Sequence, residues 1–143
     1  MNVLKEIRTK DEYYGVIRRF ELVDAATNDI LSSLIVNINQ SFNRERSRRE
    51  VVGFPSRGNI YYLNSFGTSY KYRQKGYGRQ LLNFVKEKMK GKFIFLIVQS
   101  VDEDYMKNSD LVKFYQSVGF KIHEKKDAFP QLTWMVLDNR KGC

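Results

Sequence analysis

The sequence predicts a mixed α/β fold organised around one strand–helix–strand unit, and three observations predict it. Leu81, Leu82, Val85 and Met89 recur at helical spacing and lay one apolar stripe along a helix of about three turns. The run Lys92-Phe93-Ile94-Phe95-Leu96-Ile97-Val98 that follows is nearly all apolar, as a strand covered on both faces requires. Ahead of the helix, Val51 to Phe54 and Asn59 to Phe66 flank the turn signal Pro55-Ser56-Arg57-Gly58 and read as two antiparallel strands. Strand, helix and strand in succession imply a right-handed parallel crossover, with a ligand at the carboxyl ends of its two strands.

The remaining elements follow from local pattern. Val3 to Ile7 reads as a short first strand, closed by a turn or cap at Thr9-Lys10-Asp11-Glu12. Tyr13 to Val23 mixes aromatic and β-branched residues and suits a strand better than a helix. Thr27-Asn28-Asp29 looks like a helix cap, and Ile30, Leu31, Leu34, Ile35, Ile38 and Phe42 fall at helical spacing behind it, predicting an amphipathic core helix. The arginine-rich segment from Asn43 to Glu50 reads as an exposed helix end or loop, either a solvated connection or a contact for a polyanion. Asp110 to Val118 predicts a short helix, and Phe120 to Glu124 and Leu132 to Leu137 two closing strands joined by a loop with Pro130.

Composition narrows the class. A chain of 143 residues suits a single domain over 1–143 that buries roughly 68% of its unfolded surface. With 42% hydrophobic and 14% aromatic residues it is not a disordered chain. The longest apolar run, Phe93 to Val98, is too short to span a bilayer, and no signal-peptide core follows Met1, so a cytoplasmic setting without membrane contact is expected. The single cysteine, Cys143, precludes an intrachain disulfide.

Charge singles out the stretch before and along the central helix. Between Lys71 and Lys92 stand eight basic residues and one acid, Glu87, in a chain of net charge +9. Lys86 to Lys92 suit a solvated helix end, where cations are favoured anyway. Arg73-Gln74-Lys75-Gly76-Tyr77-Gly78-Arg79 is different: its two glycines let the backbone turn tightly and gather amide N–H groups at a helix N-terminus, an anion site suited to a polyphosphate.

This loop resembles the signature of the GNAT superfamily of acetyl-CoA-dependent N-acyltransferases, met here by Arg73, Gly76 and Gly78. A second motif of that family is matched downstream by Asn108, Phe114-Tyr115 and Gly119-Phe120. The resemblance covers Ile60 to about Leu137; the first 50 residues carry almost none of it. It implies a GNAT-like central mixed, mostly antiparallel sheet with splayed parallel central strands and flanking helices, with acetyl-CoA as cosubstrate and no metal. By position, Phe66 and Thr68 supply main-chain groups that bind the pantetheine arm and polarise the thioester carbonyl, where one aimed donor is worth roughly 3 kcal/mol. Gln74, Lys75, Gly76, Tyr77, Gly78 and Arg79 take the pyrophosphate, and Arg73 adds positive charge. Tyr115 matches the general acid that protonates the departing thiolate, its alternative being simple packing of the helix under the sheet. Asn108 falls near the pantetheine, or else caps its helix.

Histone-directed relatives carry a glutamate base at the position occupied here by Tyr62, and no acid lies between Asn59 and Tyr72. Asp102, Glu103 and Asp104 follow the buried strand instead, where they either solvate a loop or serve a cationic amine, with Asp102 or Glu103 accepting its proton. His123 on a late strand reads as structural. The expected activity is acetyl transfer to a primary amine of a small molecule or peptide by direct attack in a ternary complex. The alternatives are a non-catalytic module of the same fold that holds CoA, an acidic protein or, less favoured, nucleic acid, and a CoA-responsive regulator. A homodimer is compatible with all of these.

Overall fold

The computed structural model describes residues 2–40, 44, 46–68, 70–73, 75–100, 106–124 and 132–140, with backbone alone at 46 and 70. Seven strands are present among them: β1 (Asn2–Asp11), β2 (Gly15–Asp24), β3 (Ile30–Ile38), β4 (Ile60–Thr68), β5 (Phe93–Ile97), β6 (Lys121–His123) and β7 (Trp134–Asp138). Three α-helices, α1 (Arg46–Val52), α2 (Tyr77–Lys88) and α3 (Asn108–Val118), and a single 3-10 turn at Tyr70–Tyr72 accompany them. The strands form one sheet in the order β1-β2-β3-β4-β5-β7-β6. Only β4 and β5 run parallel; every other pair is antiparallel. This is the predicted mixed sheet, and α2 is its crossover.

Each face of the sheet has its own core. Leu81, Leu82 and Val85 of α2 and Met89 at its C-cap, with Tyr115 and Val118 of α3, pack on Phe20, Leu22, Leu34, Val36 and Leu63. Such fully buried side chains contribute roughly 1.5–3 kcal/mol apiece. On the opposite face Val52 and Phe54 meet Ile60, Phe93, Phe95 and Trp134. Strand β5 therefore sends Ile94 and Leu96 to one core and Phe93 and Phe95 to the other, which is why its sequence reads as an unbroken apolar run. Among the described residues no helix is long and apolar enough to cross a membrane.

Three segments depart from the sequence expectation. Thr9 to Asp11 do not close β1 but continue it, paired with β2 as far as Asp11↔Gly15, and the turn falls at 12–14, where the Asp11 carboxylate accepts from the Tyr13 and Tyr14 amides. Ile30 to Ile38 is not a helix but β3, paired along its length with both β2 and β4; Phe42 lies outside the described residues. Leu34 and Val36 face the α2 core at the strand period of two. The spacing of 30, 31, 34, 35 and 38 fits a helix equally well, but a central strand buries both faces and β-branched Ile35, Val36 and Ile38 suit it. Thr27-Asn28-Asp29 caps nothing; it closes the β2–β3 hairpin, with Asn28 at φ 65° and the Asp24 N–H donating to the Asp29 carbonyl at 2.9 Å. Val51 and Val52 end α1 rather than opening a strand. The Gly53 N–H donates to Glu50 O and the Phe54 N–H to Arg49 O, a Schellman closure that swings Phe54 into the core.

Arg49, 5% exposed, fixes the loop between α1 and β4. Its guanidinium donates to the carbonyl of Gly58 at 2.8 Å, to that of Pro55 at 3.4 Å and to Asn39 Oδ1 at 3.4 Å. Asn39 in turn accepts from the Ile60 N–H at 2.9 Å and so sets the start of β4. Replacing Arg49 by alanine removes a buried side chain and these three hydrogen bonds and is expected to cost about 2–4 kcal/mol in urea unfolding. Arg49→Lys should recover little of the loss, because a point charge cannot span the three acceptors.

Candidate active site

Strands β4 and β5 pair at three positions only, Ile60↔Phe93, Tyr61↔Ile94 and Tyr62↔Phe95. Beyond Tyr62, β4 continues to Thr68 beside β3, while β5 stays with β7 and the Val98 N–H donates to Thr133 O at 2.8 Å. The two strands thus part, and the β5-facing edge of β4 is left without a strand partner. A bulge at Asn64 accompanies the parting: Val36 pairs with Leu63 but Ile35 with Ser65. One extra residue reverses the alternation of side chains, so Phe66 joins Leu63 on the helix-covered face. A cleft of about 490 Å³ opens in the gap.

The mouth of the cleft is the glycine loop. Gly76 adopts φ 80° at the N-cap of α2 and has no side chain to cap the first turn, and among the described residues no other side chain is seen to do so, which leaves its amide N–H groups for a ligand. A Cβ added at Gly76 would meet nothing within 4 Å, so the glycine is required there by its positive φ and not by crowding. Gly78 is the reverse case: a Cβ there would lie 3.1 Å from Thr68 Oγ1 and 3.2 Å from the Phe66 ring, so glycine permits the close approach of α2 to β4. Arg73, Gly76, Tyr77, Gly78 and Arg79 line the cleft together with Phe66 and Thr68. Arg73 Nε donates to Thr68 O at 3.4 Å, and the Arg79 guanidinium lies 5.0 Å from the Phe114 ring centroid. Lys75 is exposed beside them, and Gln74 lies outside the described residues.

Tyr115 lines the inner wall at 6% exposure, within an aromatic group formed by Phe66, Phe114 and Phe120. Burial pushes its phenol up to about 12, so the hydroxyl keeps its proton at neutral pH. Asn108 does not line the cleft; its Oδ1 accepts the Ser100 N–H at 2.8 Å, and Ser100 does line it. The side chain of Asp110, accepting from the Lys107 N–H at 3.3 Å, serves the start of α3 instead. Asp102, Glu103 and Asp104 lie outside the described residues. Tyr62 is half-buried against Phe95, with ring centroids 4.6 Å apart, and does not line the cleft. His123 Nε2 sits 2.6 Å from Val52 O, a structural bond in which the carbonyl accepts.

Sequence reasoning did not single out Ser33, Tyr72, Gln99, Ser100 or Met106, all of which line the cleft. Ser33 was hidden because its strand carries a helical spacing. Tyr72 is held by a contact with no local signal: its hydroxyl donates to the Asp29 carboxylate in the β2–β3 turn, and Lys71 Nζ lies 3.9 Å from the same carboxylate. The Tyr72 bond, assisted by Lys71, holds Asp29 below its ordinary 3.8, and the Asp29 partner pushes the phenol up. A depressed carboxyl contributes stability above its unfolded pKa and loses it as pH falls through the folded value. The stability gap between wild type and Tyr72→Phe should therefore narrow below about pH 4, as thermal unfolding at pH 7 and pH 3 would reveal.

A mixed sheet split at its one parallel pair, with an open helix N-terminus at the split, is the architecture of acetyl-CoA-dependent acyltransferases. The family described as "Acetyltransferase (GNAT) domain" matches residues 41–122, more than half of the chain, and the chain belongs to that family. Solved structures agree in fold. The Bacillus subtilis N-acetyltransferase YlbP, in complex with coenzyme A, is 13% identical with a TM-score of 0.62, over 96% of this chain and 97% of that one. The ribosomal-protein-S18-alanine N-acetyltransferase of Escherichia coli is 14% identical with a TM-score of 0.60, over 100% and 97%. Arabidopsis thaliana NAA60 in complex with acetyl-CoA is 13% identical with a TM-score of 0.60, over 94% and 98%. Comparison with curated protein sequences returned no match.

Proposed function

We propose that the chain, acting as a single cytoplasmic domain, transfers an acetyl group from acetyl-CoA to a primary amine by direct attack in a ternary complex. The observation that carries this reading is the cleft between the parted ends of β4 and β5, with uncapped α2 amides at its mouth and the protonated Tyr115 phenol on its inner wall. Acetyl-CoA would supply the thioester whose acyl carbon the amine attacks. The α2 amides from Gly76 to Arg79, with Arg73, Lys75 and Gln74, would hold the pyrophosphate by charge-assisted hydrogen bonds. Main-chain groups of Phe66 and Thr68 would hold the pantetheine and stabilise charge developing on the carbonyl oxygen. As the carbon–nitrogen bond forms and the carbon–sulfur bond breaks, Tyr115 would give its proton to the sulfur, and Asp102 or Glu103 would take one from the nitrogen. Asn108 would act at one remove by fixing Ser100.

Two of the similar structures hold coenzyme A or acetyl-CoA, and one neighbour is an N-acetyltransferase for an alanine of ribosomal protein S18, which supports the cosubstrate and an amine acceptor of the peptide kind. Thiol release from acetyl-CoA against a panel of polyamines, amino acids, aminoglycosides and peptides tests the reading. CoA stabilisation without release by any amine would favour the non-catalytic module.

Tyr115→Phe is expected to lower kcat about 100-fold while leaving the KM for acetyl-CoA unchanged. Because the wild-type phenol stays protonated until about 12, its titration adds no falling limb to kcat between about pH 6 and 9. Gly78→Asp should abolish the stabilisation by CoA, roughly 2.7 kcal/mol at one hundred times its Kd in the wild type.

Asp102→Asn combined with Glu103→Gln should raise the KM for the amine and leave CoA binding alone. Unchanged amine kinetics in that double variant from about pH 6 to 9 would move the base elsewhere.

A further inference from the structure

The helix-covered face of the sheet holds a second cavity, of about 630 Å³, at the end remote from the cleft. Its floor is the cross-strand row Val16, Ile38 and Tyr61. Tyr61 lies five residues before Phe66 along β4, about 16 Å from the cleft. Between the two openings runs α2, its N-terminus at the cleft and Met89 at its far end, 3.8 Å from an Arg18 nitrogen.

The rim is basic. Arg8, Lys10, Arg18 and Arg44 line it, against the acids Asp11 and Glu12. Asp11 accepts from the Tyr13 and Tyr14 amides at 2.8 and 2.9 Å, which fix its carboxylate but leave its charge in place. Arg44 donates to the Asn39 carbonyl at 2.9 Å and to the Glu12 carbonyl, which neutralises none of its charge.

Arg8 and Arg18 stand directly opposite one another on paired strands, a register in which like charges repel. One carboxylate lies between them: Glu6 takes Arg18 in a bidentate pair at 2.9 Å per bond and Arg8 at 3.3 Å. Two guanidiniums on one carboxylate leave a positive charge over. Lys10, next along the same face of β1, has no ion-pair partner among the described residues, and Arg18 Nη1 meets the Met89 sulfur at 3.8 Å while its guanidinium lies 5.1 Å from the Phe20 ring centroid. The arrangement concentrates cations where a further anion would relieve their repulsion.

We propose that this cavity binds a multivalent small-molecule anion, a phosphate- or polycarboxylate-bearing compound whose apolar part rests on Val16, Ile38 and Tyr61. Guanidinium forks suit both anion types. The volume lies within the roughly 300–1,000 Å³ of small-molecule sites and far exceeds a single inorganic anion. The site is independent of acetyl transfer and shares no lining residue with the cleft.

Titration of the full chain with inorganic pyrophosphate and, separately, with citrate, read from backbone amide resonances, tests the proposal. Saturable shifts at Lys10, Val16 and Ile38 are expected; a response to one probe alone assigns the anion type. Arg8→Gln with Lys10→Gln should weaken the binding about tenfold, and the variant's own spectrum reports its folding. Lys10→Gln alone, which breaks no ion pair among the described residues, should weaken it in the same direction. Absence of saturable shifts at these amides with both probes, shifts confined to the Gly76 to Arg79 amides, or equal affinity in both variants would overturn the site.

Discussion

The structure depends on one limit: β4 pairs with β5 over three residues and with β3 over its whole length. A parallel pair that ran the full strand would satisfy the β4 edge with hydrogen bonds and leave no gap. Ending it at Tyr62 frees main-chain groups at the edge and opens the wedge. The bulge at Asn64 makes the early ending useful, because it turns Phe66 and Thr68 toward α2 while the strand still belongs to the sheet. The crossover helix then begins at the opening, since the chain leaves β4 there, and its uncapped amides face the gap without any further device.

Stability and chemistry share residues in this arrangement. The aromatic group that closes the inner wall removes Tyr115 from water, and the same removal holds the proton on its phenol. Glycine at 78 lets α2 press against Phe66 and Thr68, so the packing that seats the helix also fixes the distance between its amides and the strand edge. The bond from Tyr72 to Asp29 ties the loop after β4 to the β2–β3 turn, two segments far apart in sequence. A loop of high positive charge is thereby held against the sheet by a carboxylate of the β2–β3 turn.

Positive charge is not spread evenly over the chain. Part of it gathers at the N-terminus of α2, where backbone amides reinforce it, and part at the opposite end of the same sheet face, where Arg8 and Arg18 share Glu6. The first cluster is local in sequence and the second is assembled by strand register. Net charge alone distinguishes neither.

From the sequence alone came the crossover, because an apolar stripe of period 3.6 followed by a doubly buried run has one reading, and the glycine loop, because its residues are adjacent. Tyr115 was singled out by its place in a motif resemblance with Asn108 and Gly119, and the fold sets it on the cleft wall. The helical reading of Ile30 to Ile38 failed for a physical reason: apolar residues at those positions satisfy both periods, and only pairing with β2 and β4 on either side selects the strand. Val51 and Val52 likewise look like strand residues until Gly53 closes the helix behind them. The length of the β4–β5 pairing, the side of the sheet that Phe66 faces, the holding of Ser100 by Asn108 and of Tyr72 by Asp29 were decided by tertiary structure. Each is a contact between segments distant along the chain, and no local pattern of residue types encodes which distant partner a strand edge or a carboxylate will meet.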